Sequence, residues 1–482
     1  MKILLLNPPS PSGEKFTREG RCTQQSAIWT TLWPPVSLVY TGTLLKEHGH
    51  EVKVIDCPAE HIDFNSLPRV ISAFCPDAVV WSAATPSIDS DLNLASVIKT
   101  LNPATYTIVF GTHVTVLDLS VLEHTPSLDI VVRNEPEITI LETINALSSS
   151  SGLANLSAVE GITYRNRTGT ITQNQPRQFI PDIDALPFPD WSLINVNSYR
   201  LPLKDKPFLM VMPQRGCHFP CTFCTSSTYY GTRLRTRRVD SIIKEMKEAA
   251  ERFNIRDFFF WAETFTANPA FVRSLCNAIV DSDLRVSWVC NSRIDTVDGE
   301  LLYLMRKAGC WMVSYGIESF NPEILKGVRK NIEVSRINKI ISLTKEAGIL
   351  ASAHIIFGLP HETLRSALDT KRRVLGLDLD FAQFYCAVPF PGSALYGQAL
   401  VEGWLAGAAS VDFTRFRQER PVMTLNTITQ SEVEAVRAQA VREFYLRPRI
   451  IFGILRLMNF RHIGKNLISA LRFLRPMNKR VK

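Results

Sequence analysis

Short apolar runs alternate with longer segments of helical period along most of the chain. In the first 147 residues the runs are KILLLN (2–7), EVKVIDC (51–57), DAVVWSA (77–83), TYTIVFG (105–111) and DIVVRNE (129–135). They are rich in Val, Ile and Leu without a regular polar alternation, the pattern of strands covered on both faces. Between them VSLVYTGTLLKEHG, FNSLPRVISAF, SDLNLASVIKTL and VTVLDLSVLEHT place apolar residues at helical spacing, and EPEITILETINAL follows as a last helix. SSSSGLANLS breaks the alternation as a surface linker, and GITYRNRTGTITQN predicts a hairpin turning at Thr168-Gly169. A second alternation begins near Pro207. Its strands are PFLMVMPQ (207–214), DFFFWAE (257–263), VSWVCNS (286–292), WMVSYGIES (311–319), LASAHIIFG (350–358) and DFAQFYCAVP (380–389).

This order predicts an α/β protein of two main units. The first five strands fit a flavodoxin-like, doubly wound domain over 1–150, with ligands beyond the carboxyl ends of its strands. A linker with a hairpin covers 151–204. Six further strand–helix units over 205–410 fit a partial (β/α)6 barrel, with chemistry at the carboxyl ends of its strands. Residues 411–482 read mainly as helix and end in a basic tail.

Composition changes this picture little. At 482 residues, 45% hydrophobic and 21% charged, the chain is an ordinary globular protein of several domains. Charge is more informative. The net +8 is concentrated in Phe444–Lys482, which carries ten Lys and Arg and no Asp or Glu; without those ten cations the remainder stands near −2. The apolar start MKILLLN is stopped by Pro8 and Pro9, too soon for a secretion signal. A cytoplasmic protein with reduced thiols is expected, so its ten cysteines are not a disulfide framework.

The candidate chemistry lies in RGCHFPCTFC (215–224), where Cys217, Cys221 and Cys224 follow the first barrel strand. Structural zinc wants four ligands, and no second Cys or His pair stands at suitable spacing; His218 would have to fold back on its own loop. A cubane iron–sulfur cluster can take three thiolates and leave one iron open to a ligand from a cofactor.

The spacing Cys-x-x-x-Cys-x-aromatic-Cys, with Phe223 as the aromatic, resembles the radical S-adenosylmethionine superfamily over roughly residues 205–400. The resemblance implies a [4Fe-4S] cluster on Cys217, Cys221 and Cys224, with S-adenosylmethionine on the open iron. Electron transfer, implied from a donor such as flavodoxin or ferredoxin, then yields methionine and a 5′-deoxyadenosyl radical. Other superfamily positions carry over singly. WAETF departs from the usual Gly-Gly-Glu pattern and retains only Glu263, for the cofactor's amino group. Arg293 in NSRID resembles a position near the cofactor, Glu318 in YGIES one that accepts ribose hydroxyls, and Gly358 in HIIFGLP one beside the adenine. Cys386 ends the sixth barrel strand and is a candidate to face substrate.

The segments NPP, WPPVSLVYTGTLLKEHGHEVKVID and GTHVT…DIVVRNEPE resemble the cobalamin-binding domains of one subgroup. That family includes class B methyltransferase-like enzymes and the anaerobic magnesium-protoporphyrin IX monomethyl ester cyclases. By this resemblance Ser82, Ala83, Thr85, Gly111, Thr112 and His113 line the cobalamin. The D-x-H-x-x-G motif that supplies a cobalt ligand elsewhere is missing, so His113 is expected as a contact to the nucleotide tail or a surface residue. Asn134 stands where the subgroup usually has Gly. Cys22, in REGRC, is placed near the corrin or the domain junction.

The function implied is methyl transfer from methylcobalamin to an unactivated carbon. Alternatives are an oxidative cyclisation or rearrangement of the cyclase kind, or a non-catalytic cobalamin sensor, against which the intact cysteine triplet argues. The expected substrate is a small molecule, and membrane contact by the tail would point to a lipophilic one. Residues 444–482 mix large apolar residues with Arg and Lys, which suits either peripheral contact with an anionic membrane or helices packed on the barrel with a solvated basic face; on the first reading a cut near Glu443 removes only the tail. No nucleic acid partner is expected.

Overall fold

The computed structural model describes residues 1–10, 16, 18–19, 32–149, 152–405 and 411–458. Cys22 and the stretch 459–482 of the basic tail lie outside the described residues.

The first sheet contains β1 (Lys2–Asn7), β2 (Glu51–Asp56), β3 (Ala78–Ser82), β4 (Tyr106–Phe110) and β5 (Ile130–Val132), all parallel in the order 2-1-3-4-5. That is the doubly wound arrangement expected. The hairpin extends the same sheet: β6 (Ile162–Arg165) pairs antiparallel with β5, and β7 (Ile171–Gln173) with β6. Its turn closes with the amide of Gly169 donating to the carbonyl of Asn166. Leu4, Val79, Val109 and Val131 face one layer of helices while Leu5, Val80, Ile108 and Ile130 face the other, which is why these strands are apolar throughout. Residues 174–208 run over the junction, tied down where Tyr199 donates to Asp56 Oδ2 at 2.7 Å and the Asp190 amide to Thr43 Oγ1 at 2.8 Å.

In the second unit β8 (Leu209–Val211) is followed by a short ribbon absent from the sequence reading, β9 (Gln214–Arg215) paired antiparallel with β10 (Arg235–Thr236). The barrel strands continue as β11 (Asp257–Phe260), β12 (Ser287–Ser292), β13 (Cys310–Glu318), β14 (Leu350–Phe357) and β15 (Phe381–Cys386). All are parallel, in the order 15-14-13-12-11-8, and β15 does not pair with β8. The sheet is an open six-stranded arc.

Residues 411–429 depart from the helical reading. They form turns and irregular backbone without α-helix, and the Gln418 carbonyl accepts from the Cys386 amide at 2.7 Å. Pro421 and several polar residues leave no sustained helical period there. Helix resumes at Gln430–Tyr445, started by a reciprocal cap between Thr429 and Glu432. Its end is structural: Phe444 is fully buried and the Tyr445 hydroxyl donates to the Ala382 carbonyl at 2.7 Å. A cut at Glu443 would remove barrel contacts, so the detachable segment starts later than the sequence indicates.

The two units are joined by a buried ion network. Arg215, in β9, donates through Nη2 to Glu137 Oε1 at 2.6 Å, and through Nη1 to Glu137 Oε2 and Glu135 Oε1, each at 3.1 Å. Arg235, in β10, reaches the other oxygen of Glu135 at 2.9 Å. Glu137 lies in the first turn of helix Pro136–Ser148, where the helix dipole favours a carboxylate. Burial opposes the charge on Arg215, but Glu137 and Glu135 outweigh it and hold its pKa well above the usual value. Glu137→Ala, which leaves the guanidinium buried and short of a partner, should cost about 3–5 kcal/mol, read as a lower urea midpoint for the whole chain; an unchanged midpoint would show that the units do not depend on this pair.

Candidate active site

Arg215 leads directly into the cysteine loop. Gly216 follows at φ +87°, and a Cβ there would collide with the carbonyl oxygen of Arg233, so the turn requires glycine. The loop is then pinned by its backbone: the Cys217 amide donates to Gly231 at 3.1 Å, Thr222 to Val328 at 3.0 Å, and Cys224 back to Cys221 at 3.1 Å. All three cysteines border a cavity of about 290 Å³ at the carboxyl ends of the barrel strands. Asn7, Asp56 and Ser82, at the carboxyl ends of β1, β2 and β3, close it from the other unit. The carboxyl ends of both sheets therefore face one chamber.

Phe223, Glu263, Arg293, Glu318 and Cys386 line the same cavity. Arg293 is buried, not the surface residue a simple salt bridge would make it. It forms a two-pronged pair with Asp295 at 2.9 and 2.8 Å, donates to the Lys330 carbonyl at 2.7 Å, and sets Nη1 3.9 Å from Cys221 Sγ. Burial raises the Cys221 thiol, while Lys330 and Arg293 pull the other way. Glu318 ends β13 in the left-handed region, at φ 65°, where a non-glycine residue is strained by about 1–3 kcal/mol. Its Oε1 accepts from Lys330 Nζ at 3.0 Å, and Gly316 leaves room for the pair, since a Cβ there would strike both groups. Cys386 is fully buried, and burial pushes its thiol up to about 12, so it holds its proton at neutral pH. Gly358 is not among the lining residues: at φ +80° its amide donates to the buried Glu362 and its open side meets Val433.

The expected cobalamin residues gather around the ends of β3 and β4. Ala83, Thr85, Gly111, Thr112 and His113 line a narrow cleft together with Thr225, Tyr229 and Phe390 from the barrel side. Gly111 has φ +136°, and a side chain there would strike the Ala83 carbonyl. His113 is not at the surface. It is 3% exposed, lies 3.3 Å through Nδ1 from Thr85 Oγ1, and meets the Phe413 ring edge-on at 4.6 Å. Burial lowers its pKa to about 3, so the ring is neutral. Asn134 adopts φ 63°, which explains a position otherwise written Gly: asparagine tolerates that conformation better than most residues.

Sequence reading passed over Lys330, and also Arg18 and Glu19 of REGRC. Arg18 is buried against Asp91 at 2.8 and 3.1 Å, and Asp91 in turn accepts from the Ala84 amide and the Ser87 hydroxyl. Glu19 accepts from the Ser37 hydroxyl at 2.8 Å, and burial raises its pKa to about 8. Paired buried charges in a Gly- and Ser-rich neighbourhood carry no local spacing signal.

The donor set fits the groups that the resemblance implies. Three thiols on one ten-residue loop, beside two cations, suit an anionic cluster of several irons; among the described residues no three ligating side chains are gathered to hold a single metal ion. Small residues and a glycine at the ends of β3 and β4 allow a planar macrocycle or its tail close approach to backbone.

These features define a cobalamin-binding radical S-adenosylmethionine enzyme, and the comparisons agree. Residues 211–374 match the Radical SAM superfamily and residues 29–143 the B12 binding domain. The chain is 31% identical to the uncharacterized methyltransferase PH0819 of Pyrococcus horikoshii over 98% of its own length and 97% of that protein. It is 26% identical to the anaerobic magnesium-protoporphyrin IX monomethyl ester cyclase of Rubrivivax gelatinosus, covering 87% and 75%. Among solved structures it shares the fold of the cobalamin-dependent S-adenosylmethionine radical enzyme OxsB, at TM-score 0.74 and 14% identity over 98% of this chain and 72% of that one. The methyltransferase TsrM of Kitasatospora setae follows at 0.66 and 19%, over 83% and 75%. The chain belongs to the cobalamin-dependent radical S-adenosylmethionine methyltransferase family; its cofactors are a [4Fe-4S] cluster, S-adenosylmethionine and cobalamin.

Cys217→Ala, Cys221→Ala and Cys224→Ala should each abolish cluster binding, measured as loss of about four irons per chain after anaerobic reconstitution, and with it 5′-deoxyadenosine formation. Cofactor cleavage by the triple variant would overturn the assignment of the loop.

Proposed function

We propose that this enzyme methylates an unactivated carbon of a small molecule. The observation that carries this reading is the single chamber bordered by the cysteine loop and by the strand ends of the B12-binding domain. The bound groups supply the chemistry: the cluster gives the electron that cleaves one S-adenosylmethionine, and cobalamin relays the methyl group of a second. The chain's residues orient and enclose. Cys217, Cys221 and Cys224 hold the cluster with Arg293 beside Cys221. Glu263 and Glu318 receive the cofactor's amino and ribose groups, and Lys330 holds Glu318 in place through its 3.0 Å contact. Gly358 shapes the turn after β14 and does not line the cavity. Ser82, Ala83, Thr85, Gly111 and Thr112 receive cobalamin, with neutral His113 as packing against its tail. A small redox protein such as flavodoxin or ferredoxin would supply two electrons per turnover, one for cofactor cleavage at the cluster and one to ready cobalamin for the next methyl group.

A second reading, oxidative cyclisation or rearrangement, is supported by the cyclase-named relatives. Product mass separates the two: methylation adds one CH₂ unit, and any other change in mass removes the methyl-transfer reading.

Peripheral membrane contact belongs to the same proposal. Among the described residues no helix is long and apolar enough to cross a membrane. Helix Pro448–Leu457 exposes Ile451, Phe452 and Leu455 next to Arg456, an arrangement suited to lying in an anionic interface. The full chain should sediment with anionic vesicles at low salt and be released at high salt. A triple Ser variant at Ile451, Phe452 and Leu455 should stay in the supernatant with its iron content unchanged; equal sedimentation of that variant would dismiss the interface.

A further inference from the structure

The cavity does not stop at the cofactor end of the barrel. On β13 Met312, Ser314, Gly316 and Glu318 line it at every second position, and Trp311 joins them at the amino end of the strand. Ser352, His354 and Ile356 repeat the pattern on β14, and Phe381, Gln383 and Tyr385 on β15. Alternate residues of a strand share one face, so these are the inward-pointing set. The six residue steps from Met312 to Glu318 span roughly 20 Å. Ser314, Gly316 and Ser352 are too small to fill the centre, which leaves a lumen along the barrel axis.

Its two sides differ. Trp33, Phe259 and Trp261 form an aromatic wall, meeting edge-to-face with ring centres 5.0–5.4 Å apart. Tyr385, hydrogen-bonded to Gln383 and 3.3 Å from His354 Nδ1, forms a polar stripe opposite. At the amino ends of the strands the lumen meets a tight turn, in which the Leu201 amide donates to Lys206 and the Asp205 amide to Leu201. Leu203 and Asp205 hold φ of 64° and 50° there, and Arg200 pairs with Asp205 at 2.8 Å. The turn sets Lys204 Nζ 3.5 Å above the Trp311 ring.

Four cations border the cavity. Arg18 is paired with Asp91, Arg293 with Asp295 and Lys330 with Glu318, whereas Lys204 has no ion pair among the described residues. Burial lowers its pKa to about 8, Asp257 opposes that, and Lys206 and Arg306 add to it, so the local field favours an added negative charge. The indole N–H groups of Trp311 and Trp261, both lining residues, are buried without an acceptor. A cation and two donors lack acceptors in a space that is otherwise largely apolar. Buried donors left unpaired cost about 1–3 kcal/mol each, which an acceptor on a ligand would recover.

We propose that the barrel lumen holds an elongated, mostly apolar substrate bearing one acidic group, with Lys204 binding that group at the amino ends of the strands. The apolar body lies along Trp33, Phe259 and Trp261, and the far end reaches the cysteine loop. Placing the reacting carbon at that far end rests on the methyl-transfer reading; the binding site itself does not. Leu457 borders the cavity as well, and its helix is anchored where Arg449 donates to the Leu379 carbonyl at 2.9 Å, just before β15. The exposed apolar face of that helix therefore stands beside the amino end of the lumen.

Calorimetric titration of the reconstituted full chain with decanoate and with 1-decanol tests this. The two share a chain length and differ in the acidic group. Decanoate should bind at least tenfold more tightly than decanol. Lys204→Met should erase that preference by weakening decanoate alone, and Trp261→Ala should weaken both. Unchanged decanol affinity in Lys204→Met serves as the check that the variant is folded. Equal affinities in the native chain, no binding of either probe, or a decanoate preference that survives Lys204→Met would each overturn the proposal. No turnover is involved, so this result and the product-mass result can fail independently.

Discussion

The contact between Arg215 and the Glu135–Glu137 pair fixes the relation on which the rest of the site depends. Arg215 is the residue before Gly216, and Gly216 is the residue before Cys217, so the guanidinium is two positions from the first cysteine of the loop. Its carboxylate partners belong to the other unit, at the start of Pro136–Ser148. The same tie thus places the sulfur loop relative to the ends of β1, β2 and β3. Isolated in the interior, an Arg or a Glu would be far more costly than a surface ion; together, in fork geometry and with Arg235 satisfying the remaining oxygen, they are stable only when both units are docked. Loose packing of apolar surfaces would not impose a comparable register.

The open arc of the barrel has a corresponding role. Because β8 and β15 do not pair, the wall between them must come from elsewhere. Trp33 of the first unit packs on Phe259 and Trp261 of the barrel, and the segment near Gln418 bonds the end of β15. The chamber is thus built from three stretches far apart in the chain. Departures from the commoner family pattern fall here: where glycines are usual before Glu263, this chain has Trp261 and Ala262, and the larger ring becomes part of the aromatic wall.

Much of this was legible in the sequence, and for physical reasons. Strands buried on both faces are continuous apolar runs, so each run fell within a few residues of its strand. The cysteines were legible because their spacing is local. The pairs Arg215–Glu137, Glu318–Lys330 and Arg18–Asp91 were not, because partners brought together by topology leave no periodicity. The same limit hid the β9–β10 ribbon, which is two residues long on each side, and the burial of His113, which depends on Phe413 arriving from 300 residues away. The basic tail misled in one respect: its charge begins near Arg447, but packing on the barrel runs past that point, with Ile450 buried and Arg447 and Arg449 bonded to the carbonyls of Leu375 and Leu379.

The neutral states of His113 and Glu19 have a consequence for how the fold responds to acid and base. His113 is depressed from 6.5 to about 3, so its contribution to stability is complete above 6.5 and is lost as pH falls toward 3. Glu19 is raised from 4.5 to about 8, so its contribution is complete below 4.5 and is lost as pH rises toward 8. Between about 4.5 and 6.5 the two slopes have opposite sign and similar size, and they cancel. Glu362, raised by burial from 4.5 to about 8, and Asp56, raised from 3.8 to about 6, add slopes of the same sign as that of Glu19. The ring of His113 therefore offsets the carboxyl of Glu19 but not those of Glu362 and Asp56, so the docked chain loses stability as pH rises through this interval.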